Sequence, residues 1–144
     1  MNGSARTPAH LWIVGALATL WNGFGATDYT MTQLRAEAWT AHMTPAQAAW
    51  IESASPLVHA SWAFGVWGGL AGALLLLARS RHAALAFALS LAGLAVNTAL
   101  QLTSATPSPH LDTTGALILH LAIWAAAIAL LLYALRMRRR GVLR

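Results

Sequence analysis

The chain alternates long apolar runs with short polar breaks. Four runs, at about positions 10–26, 57–78, 83–102 and 113–135, approach the roughly 20 residues that an α-helix needs to cross the hydrocarbon of a bilayer. The breaks between them carry helix punctuation. Thr44-Pro45-Ala46-Gln47 puts threonine at an N-cap, proline at the first helical position and glutamine two residues on, which together start a helix. Ser55-Pro56 opens the second run in the same way. Arg79-Ser80-Arg81-His82 is a tight turn, so the third run lies antiparallel beside the second. Pro107 and Pro109 mark a loop, and Asp112 or Thr113 caps the fourth run. Between the first two runs, positions 27–54 mix Asp28, Arg35, Glu37 and Glu52 with apolar residues. Here Met31 to Ala41 extends the first helix. Ala48, Ala49, Trp50 and Ile51 then predict a short amphipathic helix, with Trp39 and Trp50 as headgroup-level anchors. The expected fold is one all-α domain: an integral membrane four-helix antiparallel bundle with a short amphipathic helix in its first outer loop.

Composition supports a membrane setting. Of 144 residues, 58% are hydrophobic and 9% charged, against about a quarter charged in a soluble domain. So little polar surface cannot face water on all sides. The absence of cysteine excludes disulfides, thiolate metal sites and cysteine nucleophiles. Nine arginines with no lysine, beside abundant alanine and leucine, fit a GC-rich bacterial genome. A net charge of +5 would suggest nucleic acid in a soluble protein. Here the arginines border apolar runs, so lipid is the expected partner and nucleic acid is not. Arg6, Arg79, Arg81 and the tail at 136–144, with Arg136, Arg138, Arg139 and Arg140, fall on one side of the four runs. The positive-inside rule makes that side cytoplasmic. Both termini then face the cytoplasm of a bacterial inner (plasma) membrane, with the basic tail against anionic headgroups. A competing reading of the first run is a signal peptide, with Arg6 in the n-region and Leu11 to Trp21 as the h-region.

The candidate chemistry lies in the few polar residues of the runs. Asn22, Asp28, Tyr29, His59, Asn97, Gln101 and His120 all map from mid-membrane outward, and polar side chains at such depth face a bundle interior or a cavity. Asn97 and Gln101 share a face at i,i+4, as do Asn22, Tyr29 and Gln33; Asp28, Thr32 and Arg35 form a second face. One reading is an outward-facing pocket for a small polar ligand. The other is a set of interhelical hydrogen bonds. Asp28 alone has the further options of capping a helix or pairing with Arg35. His59 and His120, on different helices at similar depth, are a conceivable haem or metal pair. No CxxCH and no third-ligand spacing accompany them, so no cofactor is expected. His10, His82 and His110 sit at run ends. The steps Gly65/Gly69 and Gly68/Gly72, with Ala88, Ala92 and Gly93 on the third run, allow close helix approach, within the chain or in a homo-oligomer.

Familiar catalytic motifs are absent, and the four acids, Asp28, Glu37, Glu52 and Asp112, all lie at or beyond the outer interface. An enzyme is not expected, and the mid-span carboxylate of a small proton-coupled exporter is missing. The remaining functions are a component that binds or helps transport a small polar ligand, an accessory subunit of a larger membrane complex, or a haem or quinone redox protein.

The residues Thr7-Pro8-Ala9-His10-Leu11-Trp12, Leu20-Trp21-Asn22, Gly25, Asp28-Tyr29 and Met31-Thr32-Gln33, with Ala60-Ser61-Trp62-Ala63 and Val66-Trp67-Gly68-Gly69 further on, resemble a family of small uncharacterised four-helix bacterial membrane proteins, sometimes labelled "sugar transporter". The resemblance covers about the first two-thirds of the chain. It implies the four-helix membrane fold and assigns no residue a role.

Overall fold

A computed structural model describes residues 7–104, 108–109 and 111–144. The sequence features at Arg6, Pro107 and His110 lie outside the described residues. The described chain is all helical: α1 (Ala9–Gln33), α2 (Glu37–Thr40), α3 (Pro45–Ser53), α4 (Pro56–Leu77), α5 (Ala83–Thr103) and α6 (Thr114–Arg139).

Helix starts follow the local sequence. Thr44 and Gln47 form a reciprocal capping box at α3, Ser55 accepts from the Val58 amide at α4, and Thr113 accepts from the Ala116 amide at α6. Three of the helix ends share a different device. Arg35, Arg79 and Gly141 adopt left-handed backbone, with φ of 52°, 57° and 67°. Past each of them the next amide reaches back to the helix, Ala36 to Met31, Ser80 to Leu75 and Val142 to Met137. This is a Schellman closure, which glycine normally accommodates and an L-residue makes at a cost of about 1 kcal/mol. At Arg35 it corrects the expectation of a first helix running on to Ala41: α1 stops at Gln33, and α2 sets off separately. Past the same break Trp39 lies half-buried beside the exposed Phe24, at 6.3 Å between ring centroids. Trp50 is buried, so its ring does not face outward as an anchor would. It is the one buried residue of α3.

The four long helices pack in chain order, α1 on α4, α4 on α5 and α5 on α6. On α1 the partner-facing residues are Leu11, Gly15, Ala18, Asn22, Gly25 and Tyr29, alternating steps of 4 and 3. That period keeps one seam against an antiparallel neighbour. The opposing residues on α4 descend in step: Gly15 faces Leu77, Asn22 faces Gly69, Gly25 faces Val66, Tyr29 faces Trp62 and Gln33 faces His59. α4 meets α5 on its other side through Gly65, Gly68 and Gly72. A Cβ at Gly68 would lie 3.2–3.3 Å from Ser90, and one at Gly72 2.7 Å from the Phe87 ring. The Ser90 hydroxyl donates to the Gly65 carbonyl across this seam.

α4, α5 and α6 are long and apolar enough to cross a membrane, with mean hydropathies of 1.6, 1.8 and 2.4. α1 matches them in length. It falls short in apolarity because His10, Asn22, the glycines and the tryptophans of its apolar run dilute its aliphatic residues. α6 is the most exposed of the four, and its buried residues Ala134 and Met137 lie at its end. There the chain turns back. Val142 and Leu143 are buried beside Leu76, Ala83, Ala84 and Met137. The Arg144 amide donates to the Arg79 carbonyl and the Arg81 amide to the Arg144 carbonyl, both at 2.8 Å. The tail thus docks its last residues on the α4–α5 turn, while Arg136, Arg138, Arg139 and Arg140 remain exposed.

The glycines separate cleanly by what surrounds them. A Cβ at Gly93 would stand 2.7 Å from the Gly65 amide nitrogen and 2.9 Å from the Ser61 carbonyl oxygen, whereas Gly23 has open space. Gly93→Ala should therefore cost about 1–3 kcal/mol by forcing α4 from α5. Gly23→Ala should be neutral or stabilising by up to about 1 kcal/mol. Unfolding titrations of the two variants in micelles read the difference directly, and equal effects would rule out the described seam.

Candidate functional site

The polar residues singled out in the sequence are distributed over the seams between successive helices. At mid-length on α1, Asn22 donates to the Ala18 carbonyl at 2.8 Å and lays its side-chain oxygen against Gly69, close to Ser90. Only glycine at position 69 leaves room for this amide. Further along the same seam, Tyr29 packs edge-on against Trp62 at 5.0 Å, and the Gln33 amide donates to Nδ1 of His59 at 2.8 Å.

The α4–α5 seam holds the most buried of these groups. Asn97, 8% exposed, donates to the Val58 carbonyl at 3.0 Å and to the Ser61 hydroxyl at 3.1 Å. Its own oxygen accepts from the Gln101 amide. Gln101 in turn accepts from the Ser108 hydroxyl at 2.9 Å, tying the loop to α5. On the α5–α6 seam, His120 Nε2 lies 3.2 Å from the Thr98 hydroxyl, and the Trp124 indole donates to both at 3.3 Å. α1 and α6 meet through His10 and Tyr133, whose Nδ1 and hydroxyl are 2.6 Å apart.

Of the sequence candidates, then, the structure bonds Asn97 directly to Gln101. Asn22, Tyr29 and His59 share the α1–α4 seam at different levels, and His120 belongs to α5–α6. His59 and His120 bond different partners in different seams. Among the described residues no group of three His, Asp or Glu side chains is placed to hold a metal ion.

Asp28 stands apart. Its Oδ1 accepts the Trp39 indole proton at 2.8 Å, and Arg35 instead meets Glu52 at 3.7 Å on the exposed surface. The Asp28–Arg35 pair that the spacing allowed is not formed, because the left-handed turn at Arg35 carries that residue off the helix. Asp28 lies on the wall of a cleft of about 210 Å³ beneath α2 and α3. Thr32, Trp39, His42 and Gln47 complete its polar lining, and Met43 and Ile51 its apolar side.

Several partners escaped the sequence reading. Thr98 and Trp124 beside His120 were within reach of spacing arguments, since Trp124 is four residues from His120 on one face. The contributions of His42, Met43 and Gln47 to the cleft depend on the break at Arg35, for which no glycine or proline gives a signal.

No protein-family model, curated protein or solved structure matches the chain.

Asn97 is the test of what the seams contribute. Asn97→Leu should lower stability by about 0.6–2 kcal/mol, the range for interhelical hydrogen bonds in membrane proteins. Ser61→Ala should add less to it than it costs alone, because the two share one bond. A double-mutant cycle by unfolding in micelles measures the coupling, and strict additivity would refute the bond.

Proposed function

We propose that the chain is a four-span membrane protein, α1 included, that serves as a structural or accessory subunit of a membrane assembly. The observation that carries this reading is the pairwise use of the polar side chains. Asn22, His59, Asn97, Gln101 and His120 each bond or pack at a helix–helix seam. In hydrocarbon such groups need partners; a neighbouring helix supplies them to His59, Asn97 and His120, while Asn22 bonds the Ala18 carbonyl of its own helix and Gln101 bonds Asn97 and Ser108. The aliphatic surface of α6, with Ile118, Leu121 and Leu132 more than 60% or at 60% exposed, is then available to lipid or to another membrane helix. Arg79, Arg81 and the arginines from Arg136 to Arg144 gather at one end, which orients that end toward the cytoplasm of a bacterial inner membrane. A second reading, a component that binds or helps transport a small polar ligand, draws on the cleft at Asp28.

Because the chain has no cysteine, orientation and assembly can be read from single introduced thiols. Ser53→Cys should react with a membrane-impermeant maleimide on intact cells, and His82→Cys only after permeabilisation. The labelled chain should migrate within a larger assembly in mild detergent. Labelling of both sites from outside would contradict the four-span topology, and a monomer in mild detergent would contradict the accessory role.

A further inference from the structure

The docked tail brings like charges together. The Arg144 amide donates to the Arg79 carbonyl and the Arg81 amide to the Arg144 carbonyl, so three arginines lie side by side at the α4–α5 turn. The burial of Val142 and Leu143 fixes this contact. Like charges set opposite one another across a backbone pair repel. No acidic side chain offsets them. Asp28, Glu37, Glu52 and Asp112 all lie toward the other end of the helices, and the one acid–base pair among the described residues is Arg35–Glu52. A terminal carboxylate at Arg144 would cancel one charge of the three. Arg79 gives a second sign. It holds left-handed backbone, φ 57°, at a cost of about 1 kcal/mol that glycine would avoid. Its Nε is buried, so the stem is packed and the head is held in place. Its two terminal nitrogens are accessible and have no protein partner among the described residues.

The place of these donors selects what they meet. Arg79 follows the last turn of α4 and Arg81 precedes the first turn of α5, two helices long and apolar enough to cross a membrane. Their guanidinium groups therefore stand where hydrocarbon gives way to headgroups. Leu74 and Leu85, one to two turns into those helices, are 52% and 58% exposed and offer aliphatic surface to acyl chains. Arginine forks match the paired oxygens of a phosphate. We infer that the clamp of Arg79, Arg81 and Arg144 is a binding site for the phosphate of an anionic phospholipid. Such a lipid supplies both parts of the chemistry, charge for the arginines and hydrocarbon for the leucines. Free phosphate supplies only the first. The site is one stoichiometric pocket of charge, distinct from the general attraction of an exposed basic tail to a negative surface. The inference rests on the membrane-spanning reading of α4 and α5, which thiol labelling tests separately, and not on the accessory role.

The test uses the full chain in mild detergent. Native mass spectrometry counts dioleoylphosphatidylglycerol and dioleoylphosphatidylcholine bound from an equimolar mixture. A single phosphatidylglycerol should be retained in preference, by about tenfold or more, as charge-assisted bonds predict. Arg79→Gln/Arg81→Gln should remove most of that preference. Arg81→Gln alone, at an exposed side chain, keeps the fold and should lower it by about threefold. Gly141→Val keeps every arginine but is strained at φ 67°; by releasing the tail it should also lower the preference by about threefold or more. Arg138→Gln/Arg139→Gln should lower it by only about twofold, the share of screened, diffuse attraction. Equal retention of the two lipids overturns the inference. So does a preference that Arg138→Gln/Arg139→Gln reduces as far as Arg79→Gln/Arg81→Gln, which identifies diffuse charge. Displacement of the lipid by equimolar inorganic phosphate also overturns it, since that identifies a free-anion site.

Discussion

The architecture depends on the small residues of α4. This helix is flanked on both sides, by α1 and by α5, and glycine meets each of them. Gly69 admits the Asn22 side chain from α1, while Gly65, Gly68 and Gly72 let Ser90, Gly93 and Phe87 of α5 come close. Three of these helices are long and apolar enough to cross a membrane; in lipid no hydrophobic force would drive them together, so close van der Waals contact and a few polar bonds would hold them. The glycines supply the first and make the second possible. Ser90 reaches the Gly65 carbonyl and Asn97 reaches the Val58 carbonyl only because the backbones lie this near. A side chain at these positions would lengthen the polar contacts along with the apolar ones.

Stability and site geometry follow from the same arrangement. The seam between α1 and α4 fixes which face of α1 is covered, and hence where Asp28 and Thr32 lie beside the first turns of α4. The left-handed turn at Arg35 then folds α2 and α3 back over them. At the other end, the turn at Gly141 returns Val142 and Leu143 to the core. This anchors α6, whose remaining length makes the least contact with the other helices. One end of the molecule is therefore closed by buried aliphatic residues and a backbone pair, and the other by α2 and α3 over a polar cleft.

Much of this was legible in the sequence. The capping box at Thr44, the Ser55-Pro56 start and the Arg79–His82 turn have local causes, so their helices could be placed to within a residue or two. The glycine steps of α4 signalled close packing, and the 22–29 spacing put Asn22 and Tyr29 on one face. The pairings were not legible. A polar residue in an apolar run must find a partner, but which one depends on register between helices, and that is set by packing over the full seam. Asp28 shows the limit. Its spacing allowed a bond to Arg35, and the structure gives it Trp39, because an arginine there adopts a backbone conformation that sequence would assign to glycine. The cleft needs that turn, so it too was hidden, although Asp28 and Thr32 were already visible on one face.

The central claim is the antiparallel register of α1 on α4, and a cysteine-free chain allows a direct measurement. An ideal Cβ at Gly25 lies 3.9 Å from the Val66 Cβ, within the roughly 3.5–4.5 Å that a disulfide spans. The double variant Gly25→Cys/Val66→Cys should form an intramolecular disulfide under mild oxidation in the membrane. Gly25→Cys/Ala73→Cys, displaced by two turns or about 10 Å along the helix, should stay reduced. Cross-linking of the displaced pair, or failure of the matched one, would contradict the register and the seam of polar bonds built on it.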